Sequence, residues 1–319
     1  MSAIVWLDEP AATAAHTGGK GASLVQLHRG GFPVPPGFVV TAEGYRRFAE
    51  AIGLRPPVEA LLAVPDLRVP KVARDAVAPL VQLLERASLP PDLSNEIRRA
   101  YADLRARGVA VVAARSSALS EDGASASSAG LYETYLNLRD ADAVLDAVRR
   151  CYASLWSQRA VQYRAFKGLG GPGEAMAVVV MALVPAETAG VAFTANPITG
   201  DRGQIVINAS WGLGEAVVSG RVTPDNFVLD KRTLAVVARD VFPKEIEIVP
   251  DPAGASGTVQ RDVDGPRAAH PALGDAELCA VGELCRRIEG HYGRPMDVEW
   301  ATANGALYVL QARPITGLA

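Results

Sequence analysis

The chain has 319 residues, of which 49% are hydrophobic and 21% are charged, and its formal net charge is -3. This length exceeds a comfortable single core, so we expect one large domain with two or three lobes. Acidic and basic residues alternate without a long block of one sign, which gives no support to binding of nucleic acid or of a membrane surface. Three cysteines without a CxxC pair, and the lack of a long apolar stretch, predict a cytoplasmic protein without disulfides or membrane spans.

The first fifth of the chain predicts short strands separated by glycine-rich and proline-rich segments. Residues 4–7 read as a strand, and the basic glycine segment 18–21 precedes a helical apolar pattern, so it is expected at a helix entrance. Residues 30–37 contain three prolines and three glycines and predict an irregular turn before a strand at 38–40. Four prolines in residues 55–71 favour a surface connection.

The next segments predict helices followed by a buried strand that ends in polar residues. Residues 73–87 and 93–106 show helical spacing of their apolar side chains. The apolar run 109–114 leads into Arg115, which would place a guanidinium group at the mouth of a buried strand. Residues 120–130 are rich in serine, alanine and glycine and read as a mobile loop.

The pattern changes from helical to strand-like after a glycine-rich break at residues 168–173. A strand at 133–138 and one long helix at 141–167 precede this break, so we place the lobe boundary between residues 170 and 171. The second half then predicts a sheet with strands at residues 178–184, 190–194, 204–209, 227–230 and 234–241. A loop at 250–271 and a helix at 278–292 follow, and the chain closes on a strand pair at 296–300 and 306–312.

Two basic residues of the first half are candidates for phosphate binding. The segment around Lys20 lacks the GxxxxGK[ST] spacing of the ordinary phosphate loop, although its glycines would let backbone amides approach phosphate oxygens. The alternative is a plain glycine turn with a surface lysine. Arg115 offers a planar fork suited to phosphate, and its alternative is a structural arginine that holds the loop at 120–130.

The closing strand pair carries a second group of polar candidates. Asp297 and Glu299 alternate with apolar residues on one strand, and Gln311 and Arg313 do so on the other. We expect an odd number of residues in the loop around Asn304-Gly305, which would put all four side chains on one face, an arrangement that suits a magnesium ion and the phosphates it bridges. The alternative is a solvated hairpin face with an ion pair between Asp297 and Arg313.

Several motifs taken together resemble one family, the ATP-binding, ATP-grasp-like N-terminal domain of phosphoenolpyruvate synthase, pyruvate phosphate dikinase and rifampicin phosphotransferase. They occur in family order over nearly the whole chain, which is far more specific than any one of them. The motifs are GGKGASL at 18–24, GFPVPPGF at 31–38, AARSSALSED at 113–122, SSAGLYETYLNL at 127–138, GVAFTANPITG at 190–200, WGLGEAVVSGRVTPDNF at 211–227 and RPMDVEW with LYVLQARPIT between 294 and 316.

The resemblance implies an α+β fold with mixed sheets and flanking helices, arranged as a two-lobed nucleotide-binding module with a cleft. Its first lobe, residues 1–170, would supply Lys20 and Arg115 to the phosphates of ATP. Its second lobe, residues 171–319, would supply Glu299 and Gln311 to magnesium and Arg313 to a phosphate. Lys20, Arg115 and Arg313 would also stabilise charge on the transferring group.

The resemblance also implies contacts to the rest of the nucleotide. The family usually has a glutamine on the adenine strand, where this chain has Met181, so an amide that can recognise the base is replaced by an apolar thioether. The further positions that match ATP contacts are Gly130, Thr134, Ala182, Leu183 and Val184.

The function implied by the resemblance is the first stage of a dikinase-type transfer. A histidine on another domain or subunit would take the β-phosphoryl group of ATP, AMP and phosphate would be released, and a small-molecule acceptor bound elsewhere would receive the group. No histidine of this chain lies in a matching phosphohistidine motif, which predicts either an excised ATP-binding domain or a subunit of a split system resembling phenylphosphate synthase. The alternative function is a regulatory subunit that binds nucleotide without transfer.

Overall fold

The chain folds into two compact units of mixed helices and strands, which confirms the predicted α+β class. The first unit comprises Met1–Val25 and Pro36–Ala182, and the second comprises Gln26–Pro35 and Leu183–Ala319. None of the helices described is long and apolar enough to cross a bilayer. The computed structural model describes residues 2–9, 13–119, 131–254, 256–316 and 318.

The first unit is built on a five-stranded sheet in which every neighbouring pair is antiparallel, in the order β1-β2-β5-β3-β4. Its last strand in sequence, β5, lies in the middle of the sheet. The elements are β1 (Ile4–Trp6), α1 (Ala14–Arg29), β2 (Gly37–Val40), α2 (Ala42–Ala51), α3 (Arg55–Leu62), α4 (Pro70–Arg86), α5 (Pro91–Ala106), β3 (Val112–Ala118), β4 (Thr134–Leu138), α6 (Ala141–Ser154), α7 (Gln158–Lys167) and β5 (Met176–Ala182).

One face of this sheet forms the main core of the first unit. Alternate residues of β2, β3 and β5 pack there against the apolar sides of the surrounding helices. Trp156 is buried and donates from Nε1 to the Tyr45 hydroxyl at 2.8 Å, which satisfies the one polar atom of its indole ring. Helices other than α1 cover this face, whereas α1 contacts the opposite face, where the Ser117 hydroxyl of β3 is hydrogen-bonded to Thr17 and Gly21.

Two predictions for this unit are wrong at the level of single elements. Residues 55–71 contain α3, because Pro56 and Pro57 occupy the first turn of the helix, where a proline removes no intrahelical hydrogen bond. The long helix predicted at 141–167 is two helices. Ser157 caps the second one by accepting from the Ala160 amide at 3.2 Å, so a new helix begins at Gln158.

The second unit is built on a six-stranded antiparallel sheet in the order β13-β12-β6-β7-β8-β9, with a separate two-stranded sheet of β10 and β11. The elements are β6 (Thr188–Phe193), β7 (Gln204–Trp211), α8 (Glu215–Val218), β8 (Asp225–Asp230), β9 (Val236–Asp240), β10 (Ile246–Pro250), β11 (Thr258–Asp262), α9 (Gly265–Ala269), α10 (Asp275–Tyr292), β12 (Met296–Ala303) and β13 (Ala306–Pro314).

The core of the second unit lies between the six-stranded sheet and α10. The buried side of this helix carries Leu278, Val281, Cys285 and Ile288 at the predicted steps of three and four. The helix ends at Gly293, which adopts the left-handed conformation with φ 66°. Alternate residues of the strands, Glu299 among them, lie on the face of the sheet turned away from α10.

Two further predictions are corrected by the second unit. The boundary lies after Ala182 rather than after residue 170, because β5 pairs with β2 and β3 of the first unit. The predicted loop at 250–271 contains β11 and α9, since β11 pairs with β10 over five positions.

Candidate functional site

Lys20 lies just after a break inside α1, rather than in a loop before the helix. Gly18 interrupts the helix with φ 67° and ψ 176°, so helical geometry resumes at the next residue and Lys20 lies in the first turn of the resumed helix. The first amides of a helix have no intrahelical acceptor. The break therefore places Lys20 in the first turn of a helix, a type of segment whose backbone amides can bind phosphate.

The break in α1 is held against strand β3 by one buried serine. The Ser117 hydroxyl donates to the Thr17 carbonyl at 2.8 Å and accepts from the Gly21 amide at 3.1 Å. A Cβ on Gly18 would lie 2.2 Å from the Ser117 carbonyl oxygen, so only glycine fits this close approach. Ser117 is not among the site residues predicted from the sequence, although its position two residues after Arg115 on one strand is a usable signal.

Arg115 lies in the middle of β3 rather than at the end of a strand, because the strand continues to Ala118. It pairs with Thr134 of β4 on one side and with Val179 of β5 on the other. Strand alternation puts Arg115 on the same face of β3 as Ser117. The structure thus brings Arg115, Thr134 and the anchored segment of Lys20 together, whereas the predicted contact at Gly130 lies outside the described residues.

The predicted adenine strand is β5 and the residues that follow it. Met181 is buried and pairs with Gly37 and Ala113, so its side chain lies on the same sheet face as Arg115. The Ala182 amide donates to the Pro36 carbonyl at 2.8 Å. Leu183 follows it as the first residue of the second unit's longer segment.

Val184 belongs to the second unit and packs in a small apolar cluster with Ala189 and Ala301. Its carbonyl accepts from the Ala186 amide at 2.8 Å. A role of these four residues, 181–184, toward a base stays a prediction.

The hairpin of β12 and β13 places Glu299 directly opposite Gln311. The predicted odd loop is wrong, because the turn has two residues, Asn304 and Gly305, both with positive φ, and Ala303 pairs with the residue that follows them. An irregularity then shifts the register between Glu299 and Trp300, and this β-bulge restores the pairing of odd positions with odd positions. The shared face of the two side chains is therefore confirmed, for a different reason.

The ion pair that was the alternative interpretation of the hairpin is present. Arg313 donates from Nε and from its terminal nitrogen to one Asp297 oxygen at 2.8 and 2.7 Å. Burial raises the pKa of Asp297, the guanidinium of Arg313 opposes that rise, and the neighbouring Glu299 adds to it. Arg313 is thus oriented by Asp297 and remains about one-third exposed, with a side-chain accessibility of 31%.

Gln311 is the buried member of the facing pair. The residue is only 4% exposed, and its Oε1 atom has no hydrogen-bond partner among the described residues. A buried amide oxygen without a partner is costly, and a bound cation would satisfy it. With the carboxylate of Glu299 opposite, the two side chains offer the oxygen ligands that Mg²⁺ prefers, so they fit the predicted metal.

Comparison with known proteins identifies the family of the chain. The chain belongs to the family described as pyruvate phosphate dikinase, AMP/ATP-binding domain, whose model matches residues 14–319. Its α+β fold is accordingly the ATP-grasp-like fold that the motifs predicted.

The chain is similar to several larger enzymes. It is 42% identical to a probable phosphoenolpyruvate synthase of Methanocaldococcus jannaschii over 100% of its own length and 27% of that protein. It is 39% identical to the phosphoenolpyruvate synthase of Pyrococcus furiosus over 94% of its length and 42% of that protein. It is 41% identical to a rifampicin phosphotransferase of Streptomyces sviceus over 95% of its length and 34% of that protein. The chain thus spans between a quarter and a half of these relatives.

Proposed function

We propose that this chain is the ATP-binding catalytic part of a dikinase-type phosphotransferase that forms AMP. The single observation that carries the proposal is the pairing of Glu299 with Gln311, whose buried amide oxygen lacks a partner among the described residues, in a chain of an AMP/ATP-binding family. Glu299 and Gln311 would hold magnesium, which supplies charge neutralisation for the phosphates of ATP when bound.

The basic residues of each unit have a distinct task in this proposal. Lys20 and Arg115 of the first unit bind phosphate oxygens through an ammonium group and a planar guanidinium group, and Thr134 lies opposite Arg115 on the adjacent strand. Arg313 of the second unit, oriented by its two hydrogen bonds to Asp297, binds a further phosphate oxygen. Each of these residues would stabilise negative charge on the transferring group, so no general base is required of this chain.

The proposed reaction needs a histidine on a separate domain or subunit. A nitrogen of that histidine attacks the β-phosphorus of ATP, the bond from the β-phosphorus to the bridging oxygen of the α-phosphate breaks, and AMP leaves with that oxygen. Hydrolysis of the pyrophosphoryl-histidine releases the former γ-phosphate, and the remaining phosphohistidine passes its phosphoryl group to a small-molecule acceptor. The names of two relatives refer to the synthesis of phosphoenolpyruvate and to phosphoryl transfer to rifampicin. We propose a small molecule of this general kind as the acceptor here.

The test uses ATP labelled separately at the β- and γ-phosphates, with the chain alone and with a recombinant histidine-bearing domain from a dikinase-type relative. We expect slow AMP release from the chain alone, because water is poorly positioned compared with a histidine held in line. Adding the histidine domain should accelerate AMP formation, label that domain from the β-phosphate, and release the γ-label as inorganic phosphate.

Two other outcomes would each point to another function. Rapid formation of ADP without the added domain contradicts the scheme and indicates an ordinary kinase or ATPase. ATP binding without any AMP, whichever histidine domain is added, indicates a nucleotide-binding regulatory subunit. A histidine-to-alanine variant of the added domain is the matched control, and it should give the slow rate of the chain alone.

A further inference from the structure

A row of five side chains, four of them polar, crosses the six-stranded sheet from the hairpin to the opposite edge. Glu299 of β12 pairs with Val191 of β6, which pairs with Asn208 of β7. Asn208 pairs with Asn226 of β8, which pairs with Asp240 of β9. Residues directly opposite on neighbouring strands share a face, so all five side chains lie on one face of the sheet.

That face is the one turned away from α10. The neighbours of these residues along the strands, among them Ala209, Phe227, Val298 and Trp300, are buried in the core beneath the helix. Strand alternation sends the polar row to the other side. The row is therefore part of the same surface as the paired Glu299 and Gln311, with only the apolar Val191 between Glu299 and the amides.

Hydrogen bonds give the outer part of the row a fixed direction. Asn226 donates from Nδ2 to Asp240 Oδ2 at 3.1 Å, and Asn208 donates from Nδ2 to Asn226 Oδ1 at 3.1 Å. A carboxylate can only accept, so Asn226 must turn its NH₂ group toward Asp240 and its oxygen toward Asn208. Asn208 must in turn use its NH₂ group, and Asp240 thereby sets the orientation of both amides.

The hydrogen bonds from Asn208 to Asn226 and from Asn226 to Asp240 form an amide relay. The amide oxygen of Asn208 takes no part in this relay. Each donated hydrogen bond polarises the next amide, which makes that oxygen a better acceptor. Strands are spaced by roughly 4.8 Å, so the backbones of Asn208 and Glu299 are about 10 Å apart across the sheet. This gap is too wide for shared direct ligation by short side chains, but it suits a hydrated ion, because Mg²⁺ usually keeps several of its waters.

We infer that Asn208 is a positioning residue of the cation site formed by Glu299 and Gln311, accepting a hydrogen bond from a water bound to the metal. Asn226 and Asp240 act behind it by holding its oxygen toward that water. The inference rests on the proposed function, since it requires the cation that accompanies ATP. Partners of this outer kind change metal affinity by about 10- to 100-fold when removed.

The experiment measures the affinity of Mn²⁺ for the chain by calorimetry in the presence of saturating β,γ-imido-ATP. Mn²⁺ prefers the same oxygen ligands as Mg²⁺. We expect Asn208→Ala to weaken Mn²⁺ binding about tenfold or more, and Asp240→Ala, which removes the acceptor for Asn226, to weaken it several-fold. Asp240 is exposed, so its variant tests the relay without disturbing the core even if Asn208→Ala fails to fold.

Gln204→Ala is the matched control. Gln204 is an amide on the same strand and the same face as Asn208, and it accepts from Asn196 Nδ2 at 2.8 Å outside the relay. Its loss should leave Mn²⁺ affinity within twofold, while Glu299→Gln should weaken it strongly.

The possible outcomes distinguish failure of this inference from failure of the proposed function on which it rests. If the unchanged chain binds no Mn²⁺ with the nucleotide, the proposed function fails and the inference fails with it. If Glu299→Gln weakens Mn²⁺ binding but Asp240→Ala stays within twofold of the unchanged chain, as does Asn208→Ala where it folds, the inference is overturned and the proposed metal site stands.

Discussion

The two candidate regions are positioned by different kinds of structure. The segment around Lys20 in the first unit is held by hydrogen bonds of Gly21 and Thr17 with Ser117, which lies 96 and 100 positions away in the chain. Gly18 of the same segment also packs against the backbone of Ser117. Glu299 and Gln311 in the second unit are positioned by the pairing of two consecutive strands. The long-range anchor consists of a few contacts at one residue, whereas a strand register is supported by every pair along the ladder.

Among the variants that test this difference, Gly18→Ala is expected to have the largest effect on the free energy of unfolding. The added Cβ would meet the Ser117 carbonyl oxygen at 2.2 Å, and the positive φ is itself unfavourable for alanine. We expect the free energy of unfolding to fall by on the order of 3 kcal/mol, measured by chemical denaturation. Gly53→Ala is the control, since Gly53 also has positive φ but has open space around it, and it should cost only about 1 kcal/mol. Equal losses in the two variants would show that the approach to β3 is unimportant.

The next effect concerns the phosphate contacts of the first unit. Lys20→Ala and Arg115→Ala should each weaken ATP binding by about 1.5 to 3 kcal/mol, because each removes a charge-assisted contact. Both residues are only partly buried, so the melting temperature should change little. Calorimetric titration with ATP checks the affinity, with the exposed Lys71→Ala and Arg98→Ala as controls. Unchanged ATP affinity and turnover in both test variants would refute their assignment.

A smaller effect separates the metal residues from the phosphate residues. Glu299→Gln and Gln311→Met should lower the affinity for ATP with magnesium by at least about tenfold, or roughly 1.4 kcal/mol. In EDTA, where no metal is bound, both variants should bind ATP within about twofold of the unchanged chain. Lys20→Ala should lose affinity under both conditions. An equal loss with and without magnesium in the hairpin variants would contradict the metal site.

The anchor itself is tested by Ser117→Ala. This variant removes two buried hydrogen bonds to the segment of Lys20, so we expect a loss of about 1 to 2 kcal/mol in unfolding free energy together with weaker ATP binding. Ser116→Ala is the matched control, because Ser116 lies on the opposite face of β3, where its hydroxyl is 3.4 Å from the Ser154 hydroxyl. If both variants bind ATP like the unchanged chain, Ser117 does not position Lys20.

The last prediction compares the packing of the two units by the reactivity of their cysteines, and it expects almost no reaction at the buried ones. Burial raises the pKa of Cys151 in the first unit and of Cys285 in the second to about 12 each, so at pH 8 nearly all of each thiol stays protonated. Cys279 is exposed. A thiol reagent should therefore modify one cysteine per folded chain at pH 8, and Cys279→Ser should remove that reaction. Labelling of Cys151 before unfolding would show that the first core opens readily.

Several features followed from sequence pattern alone. Helical spacing of apolar residues located α10 and the glycine that ends it, and strand alternation sent Val298 and Trp300 to the core and Glu299 to the other face. These features depend on neighbours within one or two turns or on a single strand, where periodicity carries the information. The order of the motifs also identified the family, since concurrence over the whole chain outweighs the ambiguity of each segment.

Other features were decided only by tertiary structure. The β-bulge that lets a two-residue turn bring Glu299 opposite Gln311 has no local sequence signature, because the register of a hairpin depends on the packing of the whole ladder. The break at Gly18 and its anchor on Ser117 join residues about a hundred positions apart, which no local pattern can connect. The direction of the amides from Asp240 to Asn208 arises from three strands that meet only in the folded sheet. The sequence by itself therefore determined the family and which residues carry charge, while long-range pairing decided where those charges point.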